Sequence, residues 1–78
     1  ARGAPMSVGR RVTGVVVAFD DGIGRGLLRG EDGIEYGFHC LDIADGSRTI
    51  GIDTPVRARL APRLGRWEVT EIAAIISR

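Results

Sequence analysis

Short runs of β-branched and apolar residues, separated by turns rich in Gly and Asp, follow one another through this 78-residue sequence. Such side chains suit the pleated surface of a strand, whereas Gly and Asp supply the backbone conformations of tight turns. The predicted strands are residues 12–19, 23–30, 34–40, 56–60 and 67–75. Five short strands at this spacing predict an all-β fold, either a small sandwich or a barrel.

The second predicted strand favours the barrel. Its residues alternate, with Gly26 and Leu28 on one face and Arg25, Leu27 and Arg29 on the other. Glycines inside a strand permit the sharp curvature that a closed barrel needs. A long polar connection then separates the third strand from the fourth. We therefore predict a five-stranded antiparallel Greek-key barrel of the oligonucleotide-binding type.

The connections are predicted from turn chemistry. Asp32-Gly33 is a strong hairpin signal between the second and third strands. Residues 41–43 are expected to form a short helical turn, 44–54 a polar loop and 62–65 a turn. An alternative for residues 71–77 is a helix, because Ala73 and Ala74 favour one.

Length allows one domain, residues 10–78, preceded by a loose Gly- and Pro-containing segment at 1–9. Met6 is a candidate native start, which would make residues 1–5 a remnant of the expression vector. The longest apolar runs have five residues, so the sequence predicts no membrane span. The lone Cys40 rules out an intramolecular disulfide and is typical of a reducing cytosol, so we expect a cytoplasmic protein.

The sequence predicts neither an enzyme nor a cofactor or metal site. No carboxylate pair, nucleophile arrangement or metal-ligand cluster stands out. His39 is the only histidine, and a metal or a catalytic triad would need further partners. The aspartates of residues 42–53 are too sparse for a calcium site and are expected in a solvated loop.

Charge is divided unevenly along the chain. All 11 basic residues are Arg; residues 1–30 and 54–78 each carry a net +3, and residues 31–53 carry −5. The total of +1 permits a nucleic-acid partner without arguing for one. Residues 57–66 hold four arginines, which predicts either a phosphate-binding patch or a solvated face.

Three motifs in register resemble the cold-shock domain family over about residues 11–72. They are Gly14-Val-Val-Val-Ala-Phe19, Gly24-Arg-Gly-Leu-Leu28 and Tyr36-Gly-Phe-His-Cys-Leu-Asp-Ile43. The resemblance implies a small barrel that binds single-stranded nucleic acid by stacking bases on outward aromatic rings. The ending Leu64-Gly-Arg-Trp-Glu68 departs from the family pattern.

Most of the stacking platform that this resemblance implies is replaced here. The positions that carry family aromatics hold Ala18, Arg25, Leu27, Gly37 and Cys40. His39 stands where the family has its stacking histidine, and Phe19 matches an aromatic that often lies partly in the core. Since one stacked base is worth about 1–3 kcal/mol, the expected binding is weak.

We therefore predict that the protein binds single-stranded RNA or DNA and that it does not bind a membrane. The candidate binding residues are Phe19, Arg25, Leu27, Arg29 and His39. Two alternatives remain open for this face. It is an ordinary solvated surface whose arginines pair with Glu31, Asp32 or Glu35, or it is a protein-interaction surface that forms a homodimer through residues 25, 27, 37 and 39.

Three residues are expected in the core, and a tryptophan has two possible roles. Tyr36 and Phe38 are expected in the core, and Cys40 is expected to be a small buried filler. Trp67 is either a base-stacking residue or a partly buried plug at the end of the barrel.

Overall fold

Five strands form a closed barrel in the computed structural model, which describes residues 7–75. The strands are β1 (Arg11–Asp20), β2 (Arg25–Gly30), β3 (Glu35–His39), β4 (Pro55–Arg63) and β5 (Arg66–Ala74), with one 3₁₀ turn at Cys40–Asp42. The order around the barrel is β1-β2-β3-β5-β4, and β4 pairs back with β1. The predicted all-β barrel is confirmed. Within residues 7–75, no helix has the length and apolar character needed to cross a membrane.

The predicted antiparallel pairing is confirmed for four of the five strand pairs and is wrong for β3 and β5, which run parallel. This junction is short. Gly37 pairs with Glu68, and beyond the strands there is one further bridge, between Ile43 and Ile72. The β3–β5 seam is thus the part of the barrel with the least backbone pairing.

Alternate residues of β2, β3 and β4 point inward, whereas in β5 a register shift separates the buried Val69 and Ile72 by three positions. Inward residues of all five strands fill the barrel with apolar side chains. The buried set is Val12, Val16, Leu28, Tyr36, Phe38, Ile43, Val56, Ala58, Leu60, Val69 and Ile72. The predicted core positions Tyr36 and Phe38 are confirmed. The Tyr36 hydroxyl donates a 2.9 Å hydrogen bond to Asp32, and burial together with this bond raises the pKa of Tyr36 to about 12. Because Asp32 lies in the β2–β3 hairpin turn, this hydrogen bond attaches the turn to the core.

Strand β1 is long enough to pair with two neighbouring strands along different parts of its length. Its first half pairs with β4 and its second half with β2, and a β-bulge between Val16 and Ala18 bends it. Gly14 lies where β1 passes from one partner to the other, and a Cβ there would collide with the Arg29 carbonyl. The bulge and the bare backbone thus allow β1 to curve around the core.

The structure corrects three boundaries. Ile23 and Gly24, predicted in the second strand, lie in the turn before β2. The predicted turn at 62–65 is wrong for Pro62 and Arg63, because β4 continues through both. Leu64 and Gly65 both have positive φ, 51° and 80°, so two residues suffice for the reversal. The helical alternative is wrong for residues 71–74, which lie in β5.

Other expectations stand as follows. A short helical turn near residues 41–43 is confirmed one residue earlier, at Cys40–Asp42. Residues 76 and 77 of the helical alternative and residues 1–6 of the N-terminal segment lie outside the described residues. Gly9 is hydrogen-bonded through its N–H to the Leu60 carbonyl at 2.8 Å.

Gly26 provides the sharpest test of the packing. A Cβ at this position would lie 2.5 Å from Phe38 Cζ and 2.9 Å from Phe19 Cδ1. Gly26→Ala should lower the free energy of unfolding by about 1–3 kcal/mol, because a packed core resists added volume. Chemical denaturation measures the loss. Gly51→Ala, in the exposed loop with its nearest atom at 3.4 Å, should change stability little. Equal effects of the two substitutions would contradict this packing.

Candidate nucleic-acid interface

Strand pairing places four of the five candidate residues on one outward face. Arg25 lies opposite His39, and Leu27 lies opposite Gly37. Arg29 is paired with Glu35 at the next outward position. The alternation predicted for β2 is confirmed, since Gly26, Leu28 and Gly30 are the buried residues. The β2–β3 face, defined by residues 25, 27, 29, 37 and 39, is therefore one continuous surface.

Phe19 has a different position. It pairs with the inward-facing Gly26, and its ring stacks on that of Phe38 with a centroid distance of 6.0 Å and an interplanar angle of 13°. It is partly buried and packs against the core. Phe19 therefore borders the β2–β3 face without sharing its outward direction.

An open groove of about 450 Å³ lies on the β2–β3 face. Its walls are Ala18, Phe19, Asp20, Arg25, Gly26, Leu27, Glu35, Gly37, Arg66 and Trp67. Trp67 and Arg66 come from the start of β5, so the β4–β5 hairpin closes one side of the groove. Trp67 is partly buried against the core, as predicted, and still lines the groove. His39 is not among the lining residues.

The two guanidinium groups of the face both have carboxylate partners. Arg29 lies 3.0 Å from Glu35, and both side chains are about half exposed. Arg25 lies 2.9 Å from Glu68, whose residue is only 5% exposed. The alternative in which these arginines pair with Glu31, Asp32 or Glu35 is confirmed for Arg29 and wrong for Arg25.

Gly37 explains why Arg25 reaches a strand that is not its neighbour. Glu68 is the parallel partner of Gly37 on β5, so the Arg25 side chain must pass over β3. A Cβ on Gly37 would lie 3.2 Å from Arg25 Nη2 and 3.5 Å from Glu68 Oε2. The absent side chain leaves room for the ion pair. A residue of the size of Phe would fill that space.

A second buried carboxylate lies at the same seam. Asp42 accepts two hydrogen bonds from Arg63, at 2.7 and 2.8 Å, and one from the Thr70 hydroxyl at 3.0 Å. The His39 backbone N–H donates a fourth at 2.9 Å. Asp42 is 7% exposed, so its predicted place in a solvated loop is wrong. Arg63 is correspondingly engaged and does not belong to an open basic patch.

Glu68 and Asp42 are joined through Arg63. The Arg63 guanidinium lies 3.8 Å from Glu68 Oε1 while it binds Asp42. The seam network, defined as Arg25, Glu68, Arg63 and Asp42, thus links β2, β5, β4 and the 3₁₀ turn. No buried side-chain N or O atom within residues 7–75 lacks a hydrogen-bond partner.

The environment of Asp42 stabilises its charged form. Burial, the largest single influence, raises the pKa of the carboxyl. The hydrogen bonds from Arg63, His39 and Thr70 act the other way and hold the pKa below its usual value of 3.8. Asp42 is therefore ionised at neutral pH.

His39 is fixed by the turn that follows it. Its Nδ1 accepts a 3.1 Å hydrogen bond from the Leu41 backbone N–H, and this caps the 3₁₀ turn. In the neutral ring the proton therefore lies on Nε2. The Cys40 sulfur lies 3.7 Å from Nδ1, and Cys40 is only partly buried. The ring can offer its Nε2–H and one face to a ligand.

Sequence reasoning missed Glu68 and the role of Asp42. A signal for Glu68 was present, since it is an acidic residue enclosed by Trp67 and Val69 in an apolar strand. Nothing in the spacing indicated its partner across β3. Within the described part of the chain, no three His, Cys, Asp or Glu side chains lie close enough together to hold a metal ion.

Neither the models of known protein families nor the curated proteins match this chain when their sequences are compared with it. The case for a function therefore depends on the geometry of the barrel and its outward face.

Removal of the Asp42 charge tests the seam network. Asp42→Asn should lower the free energy of unfolding by about 1–3 kcal/mol, because one amide cannot accept all four hydrogen bonds. Asp42 has a folded-state pKa below 3.8, so its contribution is complete above that pH and is lost as the pH falls further. Denaturation curves should show wild type losing stability below about pH 4 more steeply than the variant.

The control is Asp53→Asn, which removes a charge from an exposed position of the loop that follows the 3₁₀ turn. It should leave both stability and its acid dependence close to wild type. If Asp42→Asn behaved like this control, the network would not stabilise the seam.

Proposed function

We propose that this protein is a divergent cold-shock-like barrel of the oligonucleotide-binding type, and that it binds single-stranded nucleic acid weakly. The strand order β1-β2-β3-β5-β4 supports a Greek-key barrel of this type. The three motifs that resemble the cold-shock family lie on β1, on β2 and on β3 with its 3₁₀ turn. Both observations concern the fold of the barrel and do not by themselves indicate which ligand it binds.

The observation that carries the activity is the grouping of Leu27, Arg29 and His39 beside a groove lined by Trp67 and Arg66. A base has an apolar face and polar edges, so it suits a surface with an indole, an imidazole and an aliphatic side chain. Guanidinium groups at the rim contact phosphates. We assign base stacking to Trp67 and His39, and backbone contact to Arg66 and Arg29.

The same geometry limits the affinity. Glu68 already neutralises Arg25, and Glu35 neutralises Arg29. The groove lining adds Asp20 and Glu35 to Arg25 and Arg66, so it has no net positive charge. Binding should therefore be weak and sensitive to salt, since phosphate contacts compete with ion pairs inside the protein.

A homodimer through the β2–β3 face is the second candidate. It is favoured by the internal neutralisation of both guanidinium groups and by Leu27, which is 39% exposed beside bare Gly37. Size-exclusion chromatography with light scattering separates the two functions. The dimer predicts a mass of two chains that Leu27→Arg reduces to one. A monomer at high concentration contradicts it.

Nucleic-acid binding can be measured without an added label, because Trp67 is the only tryptophan in the chain. Titration with a pyrimidine-rich oligonucleotide at low salt should quench its fluorescence and saturate. His39→Asn keeps an acceptor for the Leu41 N–H but removes the ring, so it should weaken binding about tenfold. Arg66→Ala should weaken it several-fold. Arg48→Asn, a charge loss in the 44–54 loop, is the matched control and should bind like wild type.

Removal of the buried negative charge beneath the β2–β3 face should strengthen oligonucleotide binding. Glu68→Gln keeps an acceptor for Arg25 but removes the negative charge, so the affinity for oligonucleotide should rise several-fold. Asp53→Asn removes the same charge away from the groove and should leave the affinity unchanged. No saturable binding by wild type at about 100 μM protein would contradict the proposed function, because that concentration already covers ordinary non-specific affinities.

A further inference from the structure

Of the nine arginines within residues 7–75, four form an ion pair and five form none. The unpaired ones are Arg10, Arg11, Arg48, Arg57 and Arg66. Arg25, Arg29 and Arg63 each have a carboxylate oxygen within 3.0 Å. Arg11 and Arg57 have no carboxylate partner within residues 7–75. Both belong to the outward face of β1 and β4, where they are exposed. Two of the unpaired guanidinium groups therefore lie together on the surface next to the β2–β3 face, whereas Arg66 is the unpaired arginine that lines the groove.

Strand register brings these charges close together. Arg11 lies directly opposite Arg59, and Arg57 lies opposite Thr13 on the same outward side. Arg59 has only a distant carboxylate partner, Glu71 at 3.8 Å, and donates to the Gly9 carbonyl at 2.9 Å. Like charges at directly opposed positions destabilise a sheet. A bound anion would relieve this repulsion.

The three guanidinium groups surround a shallow depression. It has a volume of about 350 Å³ and is lined by Arg11, Arg57, Ala58, Arg59, Glu71 and Ala73. Only one of these side chains is acidic. The small side chain of Ala73, which pairs with Arg57, leaves the depression open to a large ligand. We define Arg11, Arg57 and Arg59 as the β1–β4 arginine cluster.

A continuous surface connects this cluster with the β2–β3 face. Val15 is paired with Arg29 on one side and with Pro55 on the other. These residues line a further shallow groove of about 290 Å³. Neighbouring strands lie about 4.8 Å apart, and successive residues of a strand are about 3.3 Å apart. Arg57 lies two strands across and two residues along from Arg29, so roughly 12 Å separates their backbones. No acidic side chain other than Glu31 lines this connecting groove.

We propose that single-stranded nucleic acid bound to the β2–β3 face continues across β1, and that the β1–β4 arginine cluster binds its phosphodiester groups. This inference rests on the proposed function and extends it. The strand passes from the groove at Trp67, by Arg29 and the apolar Val15–Pro55 surface, to Arg57, Arg11 and Arg59. The first part supplies base contacts, and the second supplies most of the electrostatic attraction.

The length of the oligonucleotide distinguishes binding in the groove from binding at the arginine cluster. Oligothymidylates of about 4 and about 16 nucleotides span the range of site sizes known for one barrel of this type. The short strand should fill the groove alone, whereas the long strand should reach the cluster and bind several-fold more tightly at low salt. The double variant Arg11→Ala/Arg57→Ala should remove this advantage and leave the affinity for the short strand unchanged. The salt dependence of long-strand binding should become less steep by about 1.4, since two phosphate contacts are lost.

Folding of the variant can be verified independently. Removal of Arg11 relieves the opposition to Arg59, so the midpoint of thermal unfolding should be equal to or higher than that of wild type. Arg48→Asn again controls for the loss of positive charge. A long-strand advantage that survives in the double variant would overturn the proposal.

Two further outcomes are distinguishable. If the short strand neither binds nor quenches Trp67 while the long strand binds through the cluster, the groove function fails and the phosphate-binding cluster stands. If the double variant keeps its long-strand affinity but loses binding to vesicles containing anionic phospholipid, the cluster recognises a membrane surface and the nucleic-acid assignment is overturned.

Discussion

Closure of the barrel at the β3–β5 seam is the constraint on which the rest of this structure depends. Only Gly37 and Glu68 pair there in register, with one further bridge at Ile43 and Ile72. So little backbone pairing leaves the seam dependent on side chains. Two buried carboxylates, Asp42 and Glu68, provide the connections, and Arg63 lies between them.

Buried charges stabilise a fold only when their remaining hydrogen-bonding capacity is filled. Asp42 meets this condition with four hydrogen bonds from three residues. Glu68 meets it less fully, with a close contact to Arg25 and a longer one to Arg63. The network therefore has a rigid part at Asp42 and a weaker part at Arg25, where the side chain is 40% exposed.

This difference connects the fold with the proposed function. Arg25 is at once a component of the seam and one of the two arginines that line the groove, with Arg66. Gly37 makes the double role feasible, since a Cβ there would already lie 3.2 Å from Arg25 Nη2 and a large side chain would occupy the space of the ion pair. Where the cold-shock family is expected to present rings, this barrel presents an ion pair, a leucine and bare backbone. In the proposed function, the attraction for a polyanion comes instead from arginines that the seam does not use, on the neighbouring β1–β4 face.

Much of the fold could be predicted from the sequence because it depends on local patterns. Alternation in β2, the Asp32-Gly33 turn and the apolar run of β1 each determine a strand or a connection without reference to the rest of the chain. The buried positions of Tyr36 and Phe38 follow from the same alternation.

The seam could not be predicted in this way. Whether Asp42 is solvated or buried depends on Arg63 and Thr70, which are 21 and 28 residues away. The pairing of Arg25 with Glu68 spans 43 residues and crosses an intervening strand. Such contacts exist only once the barrel has closed, and for that reason the sequence indicated only the nearby Glu31, Asp32 and Glu35 as partners for the candidate arginines.

A double-mutant cycle between Arg25 and Glu68 tests the central claim most directly. Free energies of unfolding would be measured for wild type, Arg25→Met, Glu68→Gln and the double variant. Contact across Gly37 predicts that the double variant loses less stability than the two single losses added together, with a coupling of about 1 kcal/mol or more. Additive losses, within about 0.3–0.5 kcal/mol, would show that the two side chains do not interact, and the account of the seam would fail.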